Sequence, residues 1–291
     1  MWNGAPTRQH WGTMSLTIGS RPDPAAALAR LHAVLSTIPS RVVACSGGID
    51  SLLLATVAHR AAPTATLVAH TVTPAVPDDG TTRVVDYAER EGWQLEVVRS
   101  REFDDERYLS NPTDRCYFCK SNLYDAIAEL SDGGGVMLSG ANVDDLGEYR
   151  PGLTAAAERD VRHPYIEAEV TKADIRAMAR HLDLDAAELP ASPCLASRLY
   201  TGTRVTAPRL RAIEAGEQLI RSTTGITVVR CRLRADAVLV EVGDDDREVI
   251  DADLLTSVRS EMAAIEPTIV SIELDGRAYE PGRAFVGAPA V

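Results

Sequence analysis

The chain has 291 residues, of which 45% are hydrophobic and 25% charged, the composition of a globular chain able to bury a core in one large or two ordinary domains. Its 30 basic and 42 acidic residues give a net charge of −12, which disfavours binding to nucleic acid or to an anionic membrane. No apolar run approaches the roughly 20 residues of a membrane span, and the N-terminal residues lack the apolar segment of a signal peptide. We therefore expect a cytoplasmic protein.

Strand and helix signals alternate along the first two thirds of the sequence. Asp23 and Pro24 have the residue types of an N-cap and a first helical position, and they predict a helix over 25–37. Further strands are predicted at 41–45, 66–70, 94–98 and 136–139, and further helices at 51–61, 82–91 and 117–130. This alternation is typical of an α/β fold in which helices cover a parallel sheet.

The pattern changes after a loop over 186–203 that is rich in Pro, Gly and Ser. Before this loop, Thr171 and Asp174 have the spacing of a capping box and predict a helix that ends near Leu182. After it, helices are predicted at 208–222 and 251–264, and strands at 227–233, 237–242 and 270–274. These elements predict a small α+β domain.

The predicted elements divide the chain into three parts. Residues 1–22 contain no periodic pattern and are expected to be a disordered lead-in, with Met14 as an alternative start. Residues 23–200 are expected to form the first domain, and residues 204–285 the smaller α+β domain.

Six residues that follow the first predicted strand, 46–51, have the composition of a phosphate-binding loop. Gly47 and Gly48 leave the backbone free to wrap an anion, while the hydroxyls of Ser46 and Ser51 can donate to it. The helix that begins here adds exposed N–H groups and the positive end of its dipole. A tight turn that merely needs glycine is the simpler interpretation, but the strand-loop-helix setting favours a phosphate site.

The residues Ser-Gly-Gly-Ile-Asp-Ser resemble the SGGxDS signature of the PP-loop ATP pyrophosphatases and match it throughout. The resemblance implies that ATP is cleaved to AMP and pyrophosphate while a carboxyl or carbonyl oxygen of the substrate is adenylated. It also implies a five-stranded parallel sheet with helices on both faces. Carried over to this chain, Ser46, Gly47, Gly48 and Ser51 would hold the pyrophosphate, Asp50 would help to place Mg²⁺, and Ser46 and Asp50 would be catalytic.

Two further segments suit a nucleotide site. Gly140 and Asp145 follow a predicted strand at the same edge of the sheet, where Gly140 can approach the nucleotide and Asp145 can bind a metal. Lys172, one of only two lysines, begins a predicted helix from which its ammonium could reach a phosphate. The simpler interpretations are a solvated loop around Asp145 and an ordinary solvated lysine.

The five cysteines are an odd number in a long chain and speak against a disulfide framework. Cys45 and Cys231 lie in apolar runs, where a cysteine is usually a small buried hydrophobe. Cys116, Cys119 and Cys194 instead have basic neighbours that would favour thiolate over thiol. A CxxC pair with a distant third cysteine can hold a metal or a cluster and leave one position open; structural zinc and unliganded, partly exposed thiols stay as alternatives.

The combined motifs resemble the ATP-dependent sacrificial sulfur transferases, the LarE family, which help to build the nickel-pincer nucleotide of lactate racemase. The matching segments are residues 46–51, 111–120, 140–145, 148–152, 171–176, 193–198 and 229–232. The resemblance implies adenylation and thiolation of carboxylates of pyridinium-3,5-biscarboxylic acid mononucleotide. It also implies a homo-oligomer, with hexamers as the family's assembly.

In that family the cysteine that matches Cys194 can be the sulfur donor itself and is then left as dehydroalanine. Members with three cysteines are thought to carry a 4Fe-4S cluster whose open iron holds a transferable sulfide. Because this chain has Cys116 and Cys119 as well as Cys194, the resemblance favours the cluster. The expected cofactors are therefore ATP, Mg²⁺ and a 4Fe-4S cluster.

Basic residues near the third cysteine and on a later strand are candidates for substrate binding. Arg230 and Arg232 alternate along a predicted strand and so share a face, and together with Arg198 they could bind a phosphate and a carboxylate. Glu241, on the next strand, is a further candidate for a metal or substrate contact. Ordinary surface charge is the alternative for each arginine.

Three other functions compete with sulfur transfer to a small molecule. A tRNA thiolase would need a basic stripe for the phosphate backbone, against which the net charge argues. A non-catalytic nucleotide sensor with a zinc clip would bind ATP without releasing pyrophosphate. An amidotransferase-like ligase would explain the PP-loop, but it would give the three cysteines no function.

Overall fold

The structure is a computed structural model that describes residues 22–130, 134–147 and 150–286. The predicted lead-in, including Met14, lies outside these ranges except for its last residue, and so do two residues of the segment 148–152. The helices are α1 (Pro24–Ser36), α2 (Ile49–Ala61), α3 (Asp78–Glu91), α4 (Glu106–Leu109), α5 (Arg115–Leu130), α6 (Pro151–Ala157), α7 (Pro164–Glu167), α8 (Lys172–His181), α9 (Ala207–Thr224) and α10 (Ala252–Ile265). The strands are β1 (Arg41–Ala44), β2 (Thr66–Thr71), β3 (Gln94–Val98), β4 (Val136–Leu138), β5 (Val229–Arg234), β6 (Ala237–Val242) and β7 (Ser271–Leu274).

The first sheet is parallel and has the strand order β3-β2-β1-β4, which confirms the α/β prediction. The prediction of a fifth strand is wrong for the described residues. Beyond β4 only a single β-bridge forms, between Arg162 and Leu138. Asp160 has a φ of 52°, and Pro164 begins α7. The chain is therefore extended over too few residues to form a strand.

Side-chain caps fix the starts of several helices where the sequence predicts them. The carboxylate of Asp23 accepts from the N–H groups of Ala25 and Ala26 at 3.1 Å. Thr171 and Asp174 form the predicted capping box at the start of α8. These caps satisfy N–H groups that the first turn of a helix would otherwise leave without partners.

Helices α2, α3 and α5 begin two or more residues earlier than predicted. Helix α3 begins at Asp78, because Gly80 and the threonines after it are weak helix formers that obscure the apolar period. Helix α5 begins at Arg115, which places Cys116 and Cys119 in its first turns and, at a spacing of three, on one face. The short helices α4, α6 and α7 have no counterpart in the predicted elements.

Helix α2 lies at the centre of the first region and is apolar on nearly all sides. It is buried from Ile49 to His59 except for Asp50, since α1, α3, α8 and the sheet surround it. A second cluster, which includes Val42, Tyr124 and Ile127, covers the other face of the sheet. Helix α2 therefore holds the strand ends and the loop before it in a fixed position.

The second region is a small α+β unit with the strand order β5-β6-β7, in which β5 and β6 are antiparallel and β6 and β7 are parallel. Its core also takes in Tyr108 and Leu195 from earlier in the chain, and Phe118 and Cys119 pack against it. The α+β prediction is confirmed. The residues around two of the three candidate cysteines are therefore part of the second core.

No helix in the ranges given above combines the length and the apolar composition that spanning a membrane requires.

Two glycines with a left-handed backbone differ in the space around them. Gly47 has a φ of +78°, and a Cβ there would lie 2.3 Å from the carbonyl oxygen of Gly80, whereas Gly92 has a φ of +69° and open space. We expect Gly92→Ala to lower the free energy of unfolding by about 1–2 kcal/mol through backbone strain alone. Gly47→Ala should cost roughly 3 kcal/mol or more because overpacking adds to that strain. Urea unfolding of both variants measures the difference, and equal losses would contradict the close approach.

Candidate functional site

The loop between β1 and α2 is folded by the hydroxyl of Ser51. This oxygen accepts from the N–H of Ser46 at 3.0 Å and donates to the carbonyl of Gly48 at 3.0 Å. Ser51 is only 6% exposed, while Ser46 is exposed at the surface. Ser51 therefore shapes the loop, and Ser46 is the hydroxyl that a ligand can reach directly.

The loop presents backbone N–H groups at the start of a helix. Gly48 is the N-cap of α2, and its side of the loop is open, since the nearest neighbour of an added Cβ is the hydroxyl oxygen of Ser46 at 3.8 Å. The first N–H groups of an α-helix have no partner within the helix. With the helix dipole they form a site suited to an anion, as the sequence predicts.

Two side chains from neighbouring elements bind backbone carbonyl groups of the loop between β1 and α2. Arg83 of α3 donates from Nε to the carbonyl of Gly47 at 3.0 Å. His70 of β2 lies 2.8 Å through Nδ1 from the carbonyl of Cys45 and 3.0 Å through Nε2 from the hydroxyl of Thr81. Because a carbonyl only accepts, Nδ1 carries the proton when His70 is neutral.

Asp50 and Lys172 form an ion pair in front of the loop. The Nζ atom of Lys172 lies 2.5 Å from Oδ1 of Asp50 and also donates to Oδ2. The main chain of Asp50 is held by the hydroxyl of Tyr165, which donates to its carbonyl at 3.0 Å. Gly140 packs so closely that a Cβ there would lie 3.1 Å from the N atom of Ser51. The predicted residues 50, 140 and 172 are thus together, at the carboxyl edge of the sheet.

The acidic pair after β4 fixes its own loop. Asp144 accepts from the N–H of Lys172 at 2.6 Å. Asp145 accepts from Arg150 at 2.8 Å and from the N–H of Asn142 at 3.0 Å. Both carboxylates have structural partners here, and the role of Asp145 as a magnesium ligand stays a prediction.

The five cysteines are free thiols, of which Cys45 and Cys231 are buried, as predicted. Cys116 and Cys119 are partly buried and Cys194 is exposed. Burial raises the pKa of both Cys116 and Cys119, and the charge of a Cys194 thiolate raises it further.

Burial has a larger effect on the pKa of Cys116 and Cys119 than their basic neighbours do. Burial raises the pKa of Cys116, and it raises that of Cys119 to about 12. Arg115 lowers the pKa of Cys116, and Lys120 lowers the pKa of both thiols, but the loss of hydration outweighs these charges. Within the described ranges, no group of three or more His, Cys, Asp or Glu side chains is arranged to hold a metal ion.

The predicted substrate-binding side chains lie inside the second region. Arg198, Arg230 and Arg232 are 3%, 5% and 3% exposed, and Glu241 is fully buried. Arg232 pairs with Glu241 at 2.9 Å, and Arg283 pairs with the other oxygen of Glu241 at 3.0 Å. The shared face of Arg230 and Arg232 is confirmed, since both guanidinium groups lie over the ring of Tyr279.

These arginines bind the main chain around Cys194 instead of pointing into solvent. Arg230 donates to the carbonyl of Ala191 and Arg232 to the carbonyl of Ser197, each at 2.9 Å. Arg198 donates to the carbonyl of Cys194 at 3.1 Å. In this structure they are scaffold residues, and a contact with substrate stays a prediction.

Three residues of the site were not found from the sequence: His70, Arg83 and Tyr165. His70 had a usable signal, because parallel pairing of β1 with β2 places the residue after Ala69 beside Cys45. The other two act across distances in sequence that no local pattern reveals: Arg83 reaches back 36 residues, and Tyr165 reaches 115.

Comparison with known proteins identifies relatives along most of the chain. Over 217 residues, 74% of this chain, it is 32% identical to an uncharacterized protein of Synechocystis sp. and covers 81% of it. It is 27% identical over 212 residues to an uncharacterized protein of Methanocaldococcus jannaschii, with 72% of this chain and 80% of that protein covered. It is 29% identical over 217 residues to pyridinium-3,5-bisthiocarboxylic acid mononucleotide synthase of Lactiplantibacillus plantarum, with 74% and 78% covered. No family model matches the chain.

The chain therefore belongs to the LarE family, to which the Lactiplantibacillus synthase belongs. The resemblance to the LarE family is confirmed, while the resemblance of residues 46–51 to the PP-loop signature stays a prediction.

The buried histidine behind the loop predicts a dependence of stability on pH. Burial lowers the pKa of His70, although its hydrogen bond to Cys45 acts the other way. As the pH falls through the ordinary histidine value of about 6.5, the unfolded chain takes up a proton that the folded chain resists, so stability is lost. We expect His70→Asn, which keeps a donor for Cys45, to reduce the slope of unfolding free energy by up to about 1 kcal/mol per pH unit near pH 6.

Denaturant unfolding between pH 7.5 and 5.5 measures this slope, with His32→Asn at an exposed position of α1 as the control. The half-buried His163 also has a pKa lowered by burial and accounts for part of the slope in every variant. Equal slopes in wild type and His70→Asn would contradict the assignment.

Proposed function

We propose that this protein is an ATP-dependent sulfur transferase that adenylates carboxylates of a pyridinium mononucleotide and converts them to thiocarboxylates. The observation that carries the proposal is one chain that joins a loop suited to an anion, at 46–51, to three free thiols, two of them on one face of α5. The named function of the Lactiplantibacillus relative, at 29% identity, supports the same acceptor. The reaction would serve synthesis of a nickel-pincer nucleotide, with AMP and pyrophosphate as the other products.

The loop and its surroundings suit the first half-reaction. A carboxylate resists attack by sulfur until adenylation gives it a leaving group. The N–H groups at the start of α2 and the Ser46 hydroxyl would bind the departing pyrophosphate, and Lys172 would add positive charge beside it. Arg83 and His70 keep the loop carbonyls turned towards themselves, so these carbonyls do not face the anion.

The donors present fit a magnesium ion bound with ATP. Asp50 already accepts a cation through both carboxylate oxygens, and its side chain is 30% exposed. Carboxylate and phosphate oxygens are the ligands that Mg²⁺ prefers. Asp50 would hold the ion, with Asp145 as a second candidate, and the ion would neutralise charge on the phosphates.

For the second half-reaction we propose that Cys116, Cys119 and Cys194 carry a 4Fe-4S cluster. Thiolates are the usual cluster ligands, two of these residues share a helix face, and Cys194 influences both electrostatically. No three-ligand group is preformed in the described residues, so the sulfurs would have to approach one another when a cluster binds. Direct donation of sulfur by Cys194 is the second candidate, because this thiol is the exposed one.

The adenylation step predicts the nucleotide products. We expect AMP and pyrophosphate from Mg-ATP in the presence of the carboxylate acceptor, and Asp50→Ala should lower the rate by about a hundredfold or more through loss of metal and phosphate positioning. Asp253→Ala, in the exposed first turn of α10, is the matched control and should leave the rate unchanged. Chromatography of the nucleotides reports the outcome, and formation of ADP and phosphate would refute the proposal.

The sulfur source predicts which thiols are essential. With a cluster, anaerobically prepared protein keeps its mass, turns over repeatedly when sulfide is supplied, and loses activity in Cys116→Ala, Cys119→Ala or Cys194→Ala. With a sacrificed cysteine, each chain reacts once, loses the mass of H₂S at Cys194, and tolerates the other two substitutions. Cys45→Ala, at a buried thiol outside this group, is the control. Peptide mass spectrometry that detects dehydroalanine at position 194 after turnover of iron-containing protein would overturn the cluster.

A further inference from the structure

A buried carboxylate that the sequence does not single out lies beneath the Cys194 segment. Glu217 of α9 is 1% exposed, and Arg198 binds both of its oxygens. The Nε atom of Arg198 lies 3.0 Å from Oε1, and Nη2 lies 3.0 Å from Oε2. This bidentate arrangement is the strong geometry for an arginine-carboxylate pair.

The remaining nitrogen of Arg198 reaches the main chain at the third cysteine. Nη1 donates to the carbonyl of Pro193 and, at 3.1 Å, to the carbonyl of Cys194. Every nitrogen of this guanidinium is therefore engaged, two by Glu217 and one by the cysteine segment. The orientation of Glu217 consequently sets where these two carbonyls are held.

Glu217 is itself fixed by the adjoining strand. Its Oε1 accepts from the N–H of Cys231 in β5 at 3.1 Å, and Arg221 lies 3.4 Å from Oε2. The carboxylate thus joins α9, β5 and the Cys194 segment at one point. Removal of one partner from a buried charge pair leaves the other charge uncompensated, so the pair acts as a unit.

We infer that Glu217 is a positioning residue for sulfur transfer: through Arg198 it holds the backbone of Cys194, and so it sets the place of this thiol relative to Cys116 and Cys119. The inference rests on the proposed function only in taking Cys194 as the residue that handles sulfur. Cys194 itself is exposed, so its position depends mainly on its main chain.

Hydrogen exchange followed by mass spectrometry tests this role without any substrate. The N–H groups of Leu195, Ser197 and Leu199 are bonded to the carbonyls of Ala75, Cys194 and Ala196. In Glu217→Gln we expect exchange of peptides covering 193–199 to rise about tenfold or more. The substitution removes the charge-assisted pair between Glu217 and Arg198, which holds the backbone of Cys194. Exchange in α2 and in the first sheet should not change.

Arg221→Gln is the matched control. It alters a contact to the same carboxylate but leaves in place the Arg198 hydrogen bonds that link Glu217 to the Cys194 carbonyl. It should leave exchange at 193–199 unchanged. If Glu217→Gln does not fold, Arg198→Lys provides the same test from the other end, because a lysine cannot bind the carboxylate and two carbonyls together.

The sulfur-transfer assay gives a second readout. A positioning role predicts that Glu217→Gln lowers kcat at least tenfold and leaves the KM for ATP unchanged. Unchanged exchange at 193–199 in the variant that folds, or an equal rise throughout α9, β5 and β6, would overturn the inference. If wild-type protein transfers no sulfur, the proposed function falls, while the exchange measurement still decides the role of Glu217.

Discussion

Buried charge that must be paired is the constraint on which the second half of this structure depends. Arg198 with Glu217, and Arg232 with Glu241, lie almost wholly out of water at distances near 3 Å. Charges in such surroundings are costly unless they are paired and hydrogen-bonded. The spare arginine nitrogens meet this requirement on carbonyls of the segment around Cys194. The exposed loop that contains Cys194 is thereby attached to the buried charge pairs.

The two halves of the site are built by different means. The loop at 46–51 consists mainly of backbone: Gly47 approaches Gly80 closely, and helix α2 is buried on nearly all sides. The loop needs few charged side chains, because N–H groups and a helix dipole attract an anion without them. The cysteine segment forms only a short 3₁₀ turn over Leu195–Arg198, and pairing of buried side-chain charge also helps to hold it. A chain with a net charge of −12 can therefore offer a local anion site.

Much of the fold and part of the site could be predicted from local sequence. The strands of the first sheet, the cap at Asp23 and the capping box at Thr171 follow from residue type and spacing, and all are present. The grouping of residues 50, 140 and 172 also follows, because the carboxyl ends of parallel strands meet at one edge. The predicted number of strands in the first sheet is wrong. A single bridge at Arg162 and a full strand differ only in how many residues stay extended, which the local sequence does not show.

The sequence by itself determined the family, the α/β class, the loop at 46–51 and the three thiols set apart from the buried Cys45 and Cys231, because each is recognised from residue types and spacing within short segments, wherever those segments lie in the chain. Only the tertiary structure decided where the charged side chains lie and with which groups they pair. It turned Arg198, Arg230 and Arg232 inward, and it raised the pKa of Cys116 and Cys119 by burial. The physical reason is that hydration and pairing of a charge depend on neighbours from distant segments, such as Glu217, 19 residues from its arginine.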